Sequence, residues 1–168
     1  AVPITSIPFS SGTKTTCGTG NDFAAGFSCA STSYGGGDAY VYSISITNAP
    51  VSLQLTLGGA ATYKVASVHS ACPPTTANCI GGFTTGSSGS GTGLVTFPTN
   101  GTYYIVIDTW PAPACGEFTL DITAPPPPPA NDLCDNAETL PVSSGEFCSG
   151  MVSGTTLGAT ASTGIPAP

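Results

Sequence analysis

The chain has 168 residues, 40% of them hydrophobic, enough for one ordinary domain with a buried core and an appendage. Two basic residues, Lys14 and Lys64, stand against nine carboxylates, giving a net charge of -7 that repels nucleic acid and anionic membrane surfaces. No apolar run reaches the length of a membrane span, so no membrane insertion is expected.

The 22 Gly and 16 Pro, the abundant Ser and Thr and the lack of a long Leu/Ala/Glu/Lys periodic segment favour short strands and turns over helices. In chain order, an edge strand is expected near Ile4 to Phe9, between prolines. "AYVYSISI", Ala39 to Ile46, alternates so that Tyr40, Tyr42, Ile44 and Ile46 share a face. After a turn at Asn48 to Pro50, "VSLQLTL" does the same with Val51, Leu53, Leu55 and Leu57. Further strands are expected at Tyr63 to His69, Leu94 to Phe97, Tyr103 to Asp108 and Phe118 to Ile122. "GGFTTGSSGSGTG", Gly81 to Gly93, reads as a mobile surface loop, and "PTNGT" before Tyr103 as a tight turn. Short antiparallel strands at this spacing imply an all-β fold, an antiparallel two-sheet β-sandwich.

After Ile122 comes "TAPPPPPAND", whose consecutive prolines prefer the extended polyproline form and act as a semi-rigid spacer. The expected organisation is a sandwich over residues 1–124, a polyproline linker over 125–130 and, over 131–168, the start of a second unit or a strand-donating tail. The tail rhymes with the beginning of the chain. "AETLPVSSGEFC" from Ala137 matches the opening "AVPITSIPFSSGTKTTC" in having Ala, a short Pro-containing apolar stretch, Ser-Ser-Gly and then Cys. A real repeat makes Ala1 an internal cut. It also leaves Leu140, Val142, Phe147, Val152 and Leu157 needing apolar partners from further sequence or from a neighbouring copy, by strand addition.

Seven cysteines in a Gly/Ser/Thr-rich acidic chain point to an oxidising compartment, extracellular or at the cell surface, and so to export. A zinc site is disfavoured, because no paired C-x-x-C spacing exists and His69 is the only histidine. No charged segment with an apolar stretch opens the chain, so an export signal is expected upstream or already removed.

Candidate chemistry is sparse. His69, Asp108 and one of many serines can be written as a triad, but a lone His on a strand beside Cys72 reads as structural. Nine scattered carboxylates, among them Asp132, Asp135 and Glu138, give no convergent pair for glycoside hydrolysis. Trp110 with Tyr103 and Tyr104 offers an aromatic platform for a surface glycan, although such residues also serve as rim packing. Asn21, Asp22 and Asp38 are hard oxygen donors in Gly-rich loops suited to calcium, and equally to turns. Asn100 to Thr102 is both a glycosylation sequon and a hairpin signature.

The order "TTCGTGNDF", "YGGGDAYVYS", "CPPTTANC" and "GTYYIVIDTWPAPACGEFTLDI" resembles the bacterial pre-peptidase C-terminal domain that recurs in secreted multidomain surface proteins. "PPPPPANDLCDNA" looks like the joint between successive copies. The resemblance implies a jelly-roll-like sandwich, export and a non-catalytic role in binding, adhesion or tethering, sometimes with calcium. A Cys equivalent to Cys134 would fall before Ala1, in keeping with a cut unit.

Cysteine pairing follows as an expectation. Cys72 with Cys79, and Cys134 with Cys148, span short loops suited to local bridges. If the first unit repeats the second, Cys17 pairs with an absent upstream Cys and Cys29 joins Cys115; the alternative is Cys17 with Cys29, leaving Cys115 free. Two functional classes emerge: a structural or adhesive module of a repetitive surface protein or filament, and an accessory carbohydrate- or protein-binding domain of a secreted hydrolase.

Overall fold

Alternation along the sequence becomes opposed faces of two sheets. In β4 (Tyr40–Ile46) the residues Tyr42, Ile44 and Ile46 point inward, and in β5 (Val51–Gly58) Leu53, Leu55 and Leu57 do so from the opposite sheet. They meet Val95 and Phe97 of β8 (Gly91–Phe97), Ile105 and Ile107 of β9 (Gly101–Thr109), and Phe118, Leu120 and Ile122 of β10 (Glu117–Thr123). One side chain in two per strand is given to this core, the period-2 pattern expected of a sandwich.

The computed structural model describes residues 1–111, 114–132, 134–137, 139, 153, 156 and 159. The chain falls into two units, Ala1–Ala124 and Pro125–Pro168. Ten strands are found among the described residues, all in the first unit. Besides those above they are β1 (Val2–Ile4), β2 (Phe9–Ser10), β3 (Lys14–Thr15), β6 (Lys64–His69) and β7 (Cys79–Thr84). The first sheet runs β1-β4-β9-β6-β7 and the second β2-β10-β5-β8, with β3 also on β10. The fold is thus an all-β two-sheet sandwich. Neighbouring strands are antiparallel except β1, which lies parallel to β4 from Val2 opposite Tyr42 to Ile4 opposite Ile44. In the second unit, Cys134–Asn136 form one 3-10 turn among the described residues.

Two expectations about the strands are corrected. The edge strand expected over Ile4 to Phe9 is instead two strands on different sheets, and Pro8, between them, lacks the N–H that a continuous ladder needs. The chain passes from one sheet to the other between them, and Phe9 comes to lie edge-on to Tyr42 at 5.7 Å.

The mobile loop expected over Gly81 to Gly93 is largely strand, contributed by β7 and β8. Its small residues are there for close packing. A Cβ at Gly93 would stand 2.3 Å from the Phe83 ring, and one at Gly82 2.5 Å from the Ala66 carbonyl oxygen. Only the turn between the strands remains, a 3-10 segment Gly86–Ser88 followed by Gly89 at φ 70°, where glycine is favoured.

A third feature lies outside the sandwich. The segment between β3 and β4 crosses the outer face of the first sheet and buries Phe27, Tyr34 and Ala39 against Val65 and Val106. All six residues of β6 are therefore buried.

Because Phe83 fills the space above Gly93, Gly93→Ala is expected to destabilise the fold by about 1 to 3 kcal/mol, the usual range for overpacking. A lowered urea midpoint checks this; an unchanged midpoint would mean that β7 and β8 do not pack as described.

Candidate functional site

The polar chemistry of the first sheet gathers under the covering segment. Facing residues on paired strands point the same way, so Val65 and Asp108, then Ser67 and Val106, then His69 and Tyr104 form successive rows on the outer face. The segment covering them is tied down at two places by disulfides.

Cys17 bonds to Cys115, with Cα atoms 4.8 Å apart. Pairing of Thr15 with Glu117 and reciprocal bonds between Thr16 and Gly116 bring these two cysteines side by side. Cys29 bonds to Cys79, at the start of β7, with Cα atoms 5.8 Å apart. These bridges replace the expected Cys72–Cys79 and Cys29–Cys115 pairs and the alternative Cys17–Cys29. Cys17 takes its partner from within the unit, and Cys72 is a free, exposed thiol. The short loop from Cys72 to Cys79 is closed by hydrogen bonds instead of sulfur: Asn78 Nδ2 donates to the Pro73 carbonyl at 2.9 Å, and the Thr75 N–H donates to Asn78 Oδ1 at 2.9 Å. Cys148 lies outside the described residues, and with it the expected Cys134–Cys148 pair.

His69 is fully buried, under the Phe27 ring at 5.7 Å. Its Nδ1 faces two acceptors, Asn78 Oδ1 at 2.9 Å and the Thr75 carbonyl at 3.2 Å, and so carries the proton in the neutral ring. Nε2 then accepts from the Ser67 hydroxyl at 2.9 Å. Hydroxyl, imidazole and amide stand in line as in a nucleophilic triad, but Ser67 and His69 are fully buried and no substrate can approach in this state. Burial lowers the His69 pKa, while the bonds to Asn78 and Thr75 raise it. The third member of the sequence-derived triad, Asp108, lies two rows away, beyond Ser67 and Val106.

Asp108 is fully buried, and neither carboxylate oxygen has a hydrogen-bond partner at bonding geometry. Burial, reinforced by the charge of Asp38, pushes its carboxyl up to about 7; backbone N–H groups of Gly35 and Thr109 pull the other way. Lys64, also buried, directs its ammonium to the carbonyls of Gly59, Ala61 and Gly89, and burial lowers its pKa.

The calcium candidates are placed as follows. Asn21 and Asp22 are exposed, whereas Asp38 is half-buried and accepts a 2.6 Å hydrogen bond from the Gly18 N–H, fastening one turn of the segment to the next. Among the described residues no group of three or more His, Cys, Asp or Glu converges.

The three aromatic candidates do not form one platform. Tyr103 is core, packed on Phe97 and donating its hydroxyl to the Thr99 carbonyl at 2.8 Å. Tyr104 is half-buried on the opposite face. Trp110 stands beyond the end of β9, exposed, beside Tyr63, which alternation alone marks only as the start of a strand. Tyr63 carries no local signal for that role, because it meets Trp110 through the pairing of Lys64 with Thr109.

No family model matches the chain, and no curated protein matches it. Among solved structures, the chain is similar to the crystal structure of Aeromonas hydrophila PliG, a periplasmic lysozyme inhibitor of g-type lysozyme. That similarity has 17% identity and a TM-score of 0.40, and it covers 73% of this chain and 93% of that chain.

Asp108 generates a pH prediction. A carboxyl whose pKa is raised by folding holds its proton more tightly in the folded state, so its stabilising contribution is full below about pH 4 and is lost as pH rises through about 7. The urea midpoint is expected to fall over that window, and Asp108→Asn to remove the fall. The same slope in wild type and variant would contradict a buried, proton-holding Asp108.

Proposed function

We propose that this chain is a non-catalytic, exported β-sandwich module, a structural or adhesive building block of a repetitive surface protein or filament of the pre-peptidase C-terminal type. The observation that carries this reading is the sealing of reactive side chains: Ser67, Lys64, His69 and Asp108 are all fully buried. Each is committed to holding the fold or shut away from solvent. Two disulfides within one small β unit support an oxidising compartment.

Assembly by strand addition is supported by the open edge at β1. The ladder between β1 and β4 ends at Ile4 and Ile44, while β4 continues to Ile46. Beside that unpaired stretch runs a groove of about 410 Å³ lined by Ile4, Ile7, Ile44, Ile46, Val51 and Leu53 among others. An incoming apolar strand would find both backbone partners and side-chain pockets there. The tail of a neighbouring copy is the proposed occupant, since residues 137–148 rhyme with the opening of the chain in having Ala, a Pro-containing apolar stretch, Ser-Ser-Gly and Cys. Heterologous contacts whose rotation does not close generate head-to-tail arrays, the assembly proposed for this chain.

Two variants test this. Truncation after Ala124 is expected to leave a folded monomer where the full chain self-associates, and Ile7→Asp, at an exposed position of the groove, to block association while leaving the fold intact. Equal sedimentation of the full chain and both variants would contradict strand sharing.

A further inference from the structure

At the end of the first sheet, beyond β6 and β9, two aromatic rings stand exposed together. Tyr63 is 39% and Trp110 42% exposed, with ring centroids 5.4 Å apart and planes at 69°. Large apolar side chains left in water are unremarkable one at a time, but this pair is held in place by the backbone. The Tyr63 N–H donates to the Gly86 carbonyl at 2.7 Å, and the Trp110 N–H donates to the Tyr63 carbonyl at 2.9 Å. Tyr63 also sits at φ 49°, the one non-glycine residue in the left-handed region among the described residues. A bulky side chain adopts that conformation at a cost, and such strain gathers where a side chain must be presented in a fixed direction.

The rings border a cleft of about 250 Å³ whose other walls include Ser31, Ser33, Tyr34 and Thr84. Ser31 Oγ accepts from the Ser33 N–H at 3.2 Å, which leaves its own hydroxyl proton free to donate. Ser33 and Thr84 make no side-chain hydrogen bond within the described residues. The lining thus combines aromatic faces with uncommitted hydroxyls, and it contains no Lys, Arg, Asp or Glu.

We infer that this cleft is a binding site for a neutral glycan, one sugar ring lying on the Trp110–Tyr63 pair with its hydroxyls met by Ser31, Ser33 and Thr84. A pyranose presents C–H groups on its faces and hydroxyls around its rim, which suits aromatic stacking and hydroxyl exchange together. A charged ligand would find no counter-charge in the lining. The volume falls just below the ordinary small-molecule range of about 300 to 1,000 Å³, which suits one ring of a chain and not an enclosed oligomer. This site is at the β6 and β9 ends, separate from the β1 groove of the proposed assembly, so either can fail without the other.

Trp110 is the only tryptophan, so its fluorescence reports on the cleft directly. The full chain is titrated with the neutral hexaoses of glucose in α-1,4 and β-1,4 linkage and of β-1,4-N-acetylglucosamine, followed by emission and by calorimetry. Saturable change with at least one of them is expected, with affinity about tenfold weaker in Tyr63→Ala, about 1.4 kcal/mol by the affinity relation, and calorimetric binding lost in Trp110→Ala. Leu94→Ala, an equally exposed apolar residue on β8, is expected to bind as wild type. Circular dichroism and urea midpoints confirm that the variants are folded. No response to any of the three sugars at about 10 mM, well above a millimolar Kd, overturns the inference, as does binding that survives Trp110→Ala in a folded protein.

Discussion

The segment from Cys17 to Asp38 is short of regular structure, yet most of what distinguishes this molecule depends on its being fastened across the outer face of the first sheet. An antiparallel sandwich ordinarily turns one face of each sheet to water. Here Cys17–Cys115 anchors the start of the segment to the residues before β10, and Cys29–Cys79 anchors its middle to β7, so the central strands β6 and β9 are covered on both sides. In the chain-entropy view, bridges spanning 98 and 50 residues restrict the unfolded chain by about 4 to 5 kcal/mol each. That restriction compensates for a cover built from small residues, in which Phe27, Tyr34 and Ala39 supply the apolar contacts.

Covering the face also determines what its polar residues can do. His69 becomes a neutral ring spanning Ser67 and Asn78, and Asp108 becomes an acid that favours its protonated form. Lys64, at the end of the same strand, satisfies three carbonyls at one end of the sandwich. Residues that look reactive in a list are thereby consumed by the fold. Among the described residues, the β1 edge with its apolar groove, the Trp110–Tyr63 pair and the exposed Cys72 thiol remain available at the margins. Both proposed interaction sites therefore lie at edges and rims, around a chemically closed centre.

The sandwich was legible because its strands alternate strictly; Tyr42, Ile44, Ile46, Leu53, Leu55 and Leu57 all face the core as their period demands. The Gly81 to Gly93 strands are not legible in the sequence, since composition cannot distinguish a residue small for flexibility from one small because Phe83 or the Ala66 carbonyl occupies the space. Disulfide pairing escaped for a related reason. Short spacing favoured Cys72 with Cys79, whereas the partners were chosen by register and by the path of a segment with no periodicity of its own. Of the proposed site residues, Trp110 could be picked out by its isolation, but Tyr63 becomes its neighbour only once β6 and β9 are paired.

The fastened cover can be tested on a single side chain. His69 is the only histidine, so its ring protons titrate without overlap in a magnetic resonance spectrum. With both bridges intact, burial beneath Phe27 predicts titration below the ordinary histidine range; after reduction has released the segment, the midpoint should rise toward about 6.5. An ordinary midpoint in the oxidised protein, or identical curves before and after reduction, would contradict a disulfide-held cover over the first sheet.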